Sequence, residues 1–525
     1  MFYTKSHTPT LSEIQEELRN AEIGVLPEIN ILILRTIVIE PISYYLKYHA
    51  FKLGYNANIK FGNYGTIFQD AINVNDSLFK DKYDFILIFS PINTIFPNID
   101  FYNIDLNINY LKEEEKKVDI FISNVITGLR KQSDSPILWH SFESQPYPSL
   151  GIYDYQSNDG LTSFINRINQ NLRNRVQAST DVFIVNMDSC LIRLGINNFY
   201  DSRFWYSSSS PYTIKAYDEI ASEDFKFIIS LTGKTKKCIV LDCDNTLWGG
   251  IIGEDGIEGI DLNESGIGSA YYYFQKELIT LHSRGYLLSI CSKNNEKDVW
   301  EVFDNHPSML LKRKHISSFK INWSDKPSNI RLIANELNIG TDSLIFIDDN
   351  PAETDFVKIE LPEVEVLNIS KSNPNENIWR IRSLKSLSQH EITEDDKFRS
   401  IRIKNNINFK KEISQFSDIN QYLKSLEMSI EIGTGDNKTK KRISQLSLRT
   451  NQFNLTTRRY TEKQIQDFIE DPSYFVIWLT LEDKYGMQGM VASSIIKTNK
   501  TIAKIDTFLM SCRILGRGVE SIFLN

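Results

Sequence analysis

The chain has 525 residues, 41% hydrophobic and 24% charged, an ordinary globular composition that predicts roughly two to four domains and no extended disorder. A formal net charge of -8 and a pI near 5.6 exclude nucleic acid as a main partner, which would need basic stripes to neutralise phosphates. No run approaches the ~20 apolar residues that span a bilayer, and the N-terminal MFYTKSHTPTLSEIQEELRN has no apolar signal core, so a cytoplasmic protein without a membrane partner is expected.

Five cysteines, Cys190, Cys238, Cys243, Cys291 and Cys512, are too scattered for a disulfide framework or a zinc site, and reduced thiols are expected. Over residues 29–188 the apolar runs ILILRTIVI, YDFILIF, SPILWH and DVFIVNM alternate with helical patterns such as SFINRINQNLRNRV, which predicts a parallel sheet covered by helices. Its strand order is similar to that of SGNH-type hydrolases. The first strand ends without a Gly-Asp-Ser turn, however, and Asp188 has no DxxH partner, so a docking or structural role without esterase activity is expected. A second alternating block runs from KTKKCIVLDCDNT through GYLLSICSKNN and SLIFIDDNPAE to VEVLNIS. The charged stretch 389–411 reads as a boundary or connecting helix. Beyond it an α+β pattern follows, with MSIEIG, two helices, YFVIWLTLED, MVASSIIK and IAKIDTFLM.

The second block carries the chemistry. Its first strand, CIVL, delivers Asp242, Cys243, Asp244, Asn245 and Thr246. Alternation puts Asp242 and Asp244 on one side and Cys243 on the other. Two such carboxylates suit phosphoryl transfer, one as nucleophile and metal ligand, the other as acid and base. Ser292 ends the strand LLSIC and can hold a phosphoryl oxygen; alone it reads as a helix cap. Lys326, at the entry to the helix in SDKPSNIRLIANEL, can offset negative charge; alone it reads as a surface lysine. Asp348 and Asp349 close the strand LIFI as adjacent acids that suit an oxygen-loving cation such as Mg2+. In open parallel sheets ligands bind at the carboxyl ends of strands, so these endings should converge. The intervals between them leave no room for an inserted cap domain. An open site of this kind suits a substrate carried by a protein partner.

Together LDCDNTLWGGIIGEDG, CSKNN, IDDNPAE, LRTNQFN and DTFLMSCRILGRGVE resemble the FkbH-like family of haloacid dehalogenase proteins. The resemblance implies three parts. These are an SGNH-like domain over 1–225, an uncapped Rossmann-like catalytic domain over 226–388 and an acetyltransferase-like domain over 389–525, the last lacking its final strands. It also implies a glyceryl transferase/phosphatase that takes 1,3-bisphosphoglycerate, removes phosphate and loads the glyceryl group onto the phosphopantetheine thiol of an acyl carrier protein. Asp242 would take the 3-phosphate, and Asp244 would be acid/base and lend its carbonyl to Mg2+. Asp348 would be the carboxylate ligand, and Asp349 a further ligand or its support. Ser292 and Lys326 would hold and neutralise the phosphoryl group. The thioester would form on Cys243 or Cys291, with Cys243 preferred, although each also reads as a small buried hydrophobe. Arg513, Gly516 and Gly518 match the R-x-x-G-x-G loop that cradles a coenzyme A pyrophosphate. The alternatives are a plain phosphatase of a small phosphorylated metabolite and a weakly active scaffold in surface-polysaccharide synthesis.

Overall fold

The computed structural model describes residues 8–393, 396, 398–405 and 423–524, apart from 22, 74–76, 97–98, 100–107, 451–452, 455, 457, 485, 500, 512–513 and 516. Residues 394–395, 397 and 406–411 of the charged stretch 389–411, and Arg513 and Gly516 of the glycine-rich loop, therefore lie outside the described residues. The chain forms two compact units, 4–228 with 461–464, and 229–460 with 465–525. No helix among the described residues is long and apolar enough to cross a membrane.

The first unit holds a five-stranded sheet of β1 (Glu28–Arg35), β2 (Asn56–Tyr64), β3 (Phe85–Phe89), β4 (Ile137–His140) and β5 (Val182–Val185). Its order is β2-β1-β3-β4-β5, parallel throughout. The central strands are apolar on both faces because helices cover both; all five residues of β3 are buried. At the far end, Asp188 accepts hydrogen bonds from the Ser144 backbone N–H (2.9 Å) and hydroxyl (2.7 Å). Here it braces a loop.

The second unit contains two sheets. One comprises β6 (Cys238–Leu241), β7 (Leu287–Ser292), β8 (Ile316–Ile321), β9 (Leu344–Asp348) and β10 (Glu365–Asn368), ordered β10-β9-β6-β7-β8 and parallel. From β6 the chain moves first to β7 and β8 on one side, then to β9 and β10 on the other. The carboxyl end of β6 is thus the point where strand order reverses, the usual ligand crevice of such sheets. Between Thr246 and Ser292 lie a flap, the helices Ile252–Gly259 and Ser269–Ser283, and β7, with no inserted domain. The other sheet is antiparallel: β11 (Ser429–Thr434), β12 (Tyr474–Asp483), β13 (Gly486–Thr498) and β14 (Ala503–Met510), in sequence order.

Candidate active site

All four residues of β6 are fully buried, which anchors the residues that follow. In register, Leu241 pairs with Ile290 of β7 and with Ile347 of β9. Asp242, one residue further along, donates its N–H to the Ile347 carbonyl at 3.0 Å. Ser292 and Asp348 then end the two neighbouring strands, so the sheet itself delivers three of the expected residues to one place.

The fourth comes from a helix start. Asp325 caps the helix Lys326–Leu337 by accepting the Ser328 N–H, and Pro327 follows in its first turn. This seats Lys326 at 3% exposure, its ammonium 2.9 Å from Asp242 Oδ1 and also donating to Asp348 Oδ2. Burial alone would depress this lysine, but the charges of Asp242 and Asp348 outweigh it and hold the ammonium above its usual value. One cation does not balance the acids around it. Burial and the Asp242 charge push Asp348 up to about 6 despite Lys326, and the same two causes raise Asp349.

Oxygen atoms of Asp242, Asp348 and Asp349 lie within 4.8 Å of one another. An all-carboxylate set with excess negative charge fits a hard divalent cation, which takes oxygen ligands, in the case of Mg2+ at ~2.1 Å. The Asp244 carboxylate is turned elsewhere. It accepts from Trp248 Nε1 (2.9 Å), the Ile252 N–H (3.1 Å) and Asn294 Nδ2 (3.0 Å), which leaves one lone pair on Oδ2 for a proton and makes its main-chain carbonyl the better group for a metal. Burial outweighs these bonds and raises Asp244, which favours a carboxyl able to carry a proton.

Asn294 also donates to Ser292 Oγ at 3.1 Å, tying the phosphoryl-holding serine to the acid/base. Neither Asn294 nor Trp248 was singled out as a site residue from sequence. An amide two residues beyond a strand-end serine, and a Trp four residues after an aspartate, are the signals that could have found them. The turn that makes this possible runs through Asn245, at φ 54°, a left-handed conformation that Asn tolerates. Its side chain accepts the Gly250 N–H. Gly249 pairs with Asp261 through both backbone bonds, and a Cβ there would come within 2.8 Å of the Tyr271 ring.

The two candidate thiols are shielded from solvent. Cys243 and Cys291 are both 0% exposed. Cys243 packs with Leu241, Leu247 and Trp248, Cys291 with Cys238, Val240 and Ile330. Burial, then the Asp242 charge, pushes the Cys243 thiol well up, and burial raises Cys291. Cys243 does lie within hydrogen-bonding reach of Ser292. Of the three expected cradle residues Arg513, Gly516 and Gly518, only Gly518 is among the described residues, at φ 77° before the helix Val519–Leu524.

Fold and site together define a class: a doubly wound α/β domain with an acidic, lysine-bridged cluster where the strand order reverses. No family model matches the chain, and no curated protein matches it. Among solved structures it is similar to the N-terminal part of the protein BF1531 from Bacteroides fragilis, which contains a phosphatase domain and was solved in complex with Mg. That similarity has a TM-score of 0.67 and 26% identity over 73% of this chain and 100% of that one.

Proposed function

We propose that this chain is a Mg2+-dependent phosphatase of the haloacid dehalogenase type acting on a small phosphorylated metabolite. The observation that carries this reading is the convergence of Asp242, Ser292, Lys326 and Asp348 at the reversal point of the second parallel sheet, in a chain similar to a Mg-bound phosphatase domain. Asp242, Asp348, Asp349 and the Asp244 carbonyl would hold the cation, which when bound offsets charge on the phosphoryl oxygens.

Lys326 fixes the Asp242 carboxylate and places positive charge beside the phosphoryl group. An oxygen of Asp242 attacks phosphorus, the bond to the leaving oxygen breaks, and Asp244 gives that oxygen its proton. Asp244, now a carboxylate held by Trp248, Ile252 and Asn294, then takes a proton from the water that attacks the aspartyl phosphate. Phosphate leaves and both carboxyl groups return to their starting states. Ser292, kept in place by Asn294, donates to a phosphoryl oxygen.

A second reading adds acyl loading: 1,3-bisphosphoglycerate as substrate, an enzyme thioester, and an acyl carrier protein as acceptor, as in the FkbH-like family. It is favoured by the absence of an inserted cap domain and by Cys243 beside Ser292. It requires a fully buried, protonated thiol to become a nucleophile, so the plain phosphatase is the better supported of the two. On either reading the division into 1–225, 226–388 and 389–525 is our proposed domain organisation.

The test is phosphate release from p-nitrophenyl phosphate and from 1,3-bisphosphoglycerate, with intact-mass spectrometry of the enzyme. Wild type should release phosphate only with Mg2+, and Asp242→Asn should not release it while keeping its circular dichroism spectrum. Turnover by Asp242→Asn near wild type overturns the phosphatase assignment. A hydroxylamine-labile glyceryl adduct lost in Cys243→Ser would establish loading, and its absence during phosphate release would eliminate it.

A further inference from the structure

The first unit has its own groove at the carboxyl ends of β3 and β4, beside the point where its strand order also reverses. Pro91 and Asn93 enter from the start of the short helix Ile92–Ile95 after β3, Glu143 and Gln145 from the loop after β4, and Trp205 and Tyr206 from the helix Ser202–Ser208. The cavity measures ≈ 220 Å³.

Glu143 is the fixed polar group of this groove. Tyr200 donates to its Oε2 and Tyr212 to its Oε1, so both carboxylate oxygens are oriented and each keeps a second lone pair for a ligand. Burial holds this carboxyl above its usual range. Asn93 and Gln145 add amides that can donate as well as accept, and Ser202 adds a hydroxyl. Aromatic surface makes up much of the remaining wall and rim. Tyr206 in this lining is 75% exposed.

Charge narrows the ligand. Among the described lining residues none is cationic, while two, Glu143 and Asp201, are acidic. Arg203, on the same helix as Trp205 and Tyr206, is committed to Asp201 through Nε at 3.0 Å and Nη2 at 2.7 Å. A phosphate or carboxylate ligand would find no counterion among these lining residues. A neutral polyol meets what it needs: acceptors for its hydroxyls, amide donors for its ring oxygen, and aromatic faces for its C–H surface.

From these features we infer that the first unit carries a binding site for an uncharged sugar ring, held by the Glu143 carboxyl and stacked on Trp205 and Tyr206. The site is separate from the phosphatase site and does not depend on that reading. It is also distinct from an esterase centre, for it uses no nucleophile. It would retain a glycosyl group while leaving its bonds intact.

The test uses the full chain and saturation-transfer NMR with methyl glycosides of glucose, galactose, mannose and N-acetylglucosamine, and D-glucuronate as the anionic comparison. At least one neutral glycoside should receive saturation, and glucuronate should not. Trp205→Ala should weaken that binding roughly tenfold, the size of a lost stacking contact of ~1.4 kcal/mol, with p-nitrophenyl phosphate turnover unchanged. Tyr206→Ala, at an exposed position with little bearing on folding, should weaken it in the same direction, so a Trp205 variant that fails to fold does not remove the test. The inference is overturned if no neutral glycoside receives saturation, if glucuronate binds more tightly than they do, or if both variants bind as wild type does.

Discussion

Replacing Lys326 with methionine keeps most of its volume and removes the only cation that touches both Asp242 and Asp348 among the described contacts. Breaking a buried pair from one side usually costs ~3–5 kcal/mol, because the remaining charges are left uncompensated. The lower end applies here, since Asp348, already pushed up to about 6, can take a proton and shed part of the repulsion. A loss of ~3 kcal/mol corresponds to roughly 6–12 °C in the melting temperature of a unit of this size. Mg2+ should restore much of it, because a ligand at 100 times its Kd stabilises the folded state by ~2.7 kcal/mol, and the variant's carboxylates have no competing ammonium. Turnover should fall by ~10²–10³, the usual cost of one preorganised charge at a reacting group. Melting followed by circular dichroism, in EDTA and in saturating Mg2+, together with p-nitrophenyl phosphate kinetics, reads all three effects. If Lys326→Met melts with wild type in EDTA, the buried ion cluster is not what the distances imply. If it also turns over within a few-fold of wild type, Lys326 has no place in the mechanism.

Asn294→Ala removes the bond from Asn294 to Asp244 and to Ser292 while leaving those from Trp248 and Ile252. Losing a hydrogen bond to a charged group costs ~1.5–3 kcal/mol, so kcat should drop at least roughly tenfold with KM little changed, and an unaltered kcat would remove Asn294 from the site. His390 gives a pH signature unrelated to catalysis. Burial, then the Arg449 charge, lowers it to about 4, while its ring meets the Ser230 hydroxyl at 2.7 Å. The unfolded chain binds this proton more readily than the folded one. Its contribution is therefore complete above the unfolded value near 6.5 and is lost as pH falls toward about 4, a change of up to about 3 kcal/mol. His390→Gln should flatten the melting temperature between those limits by about one proton's worth, and an unchanged slope would refute the assignment.

Strands buried on both faces were legible as apolar runs: ILILR, FILIF, CIVL and LIFID all became central strands. The strand β2 (Asn56–Tyr64) carries no continuous apolar run, because it is an edge strand with only Ala57 and Gly62 buried; its sequence signal is the weaker polar/apolar alternation of NANIKF. Residues at strand ends were legible for the same reason as the strands. Asn294 and Trp248 were less so, since their role is to hold Asp244: the bond from Asn294 spans 50 positions, and the Asp244–Trp248 pair, though only four residues apart, looks in sequence like any packed indole. Lys326 lay between these cases. The capped helix start with proline in its first turn was visible in SDKPSN, but its burial between two aspartates followed only from the sheet order.

Period-two alternation also bears on which chemistry the site performs. The rule that turns Asp242 and Asp244 toward the crevice turns Cys243 away from it, and the neighbouring strand repeats the pattern, Ser292 facing the site and Cys291 the helix side of the sheet. Both thiols end in apolar clusters at 0% exposure. Acylation would need Cys243 to leave its buried apolar cluster and to lose its proton beside Asp242, whose charge opposes the thiolate. Even an unperturbed thiol is only a few per cent thiolate near neutral pH, and both influences here reduce that fraction. Phosphate hydrolysis, by contrast, uses side chains already in place: a nucleophile bonded to its cation, a proton carrier held by three donors, and a serine tied to that carrier through Asn294. Loading would require the strand end to rearrange when substrate binds, and hydrolysis requires no such change. The rate of adduct formation relative to phosphate release therefore measures how far the bound enzyme departs from the geometry described here.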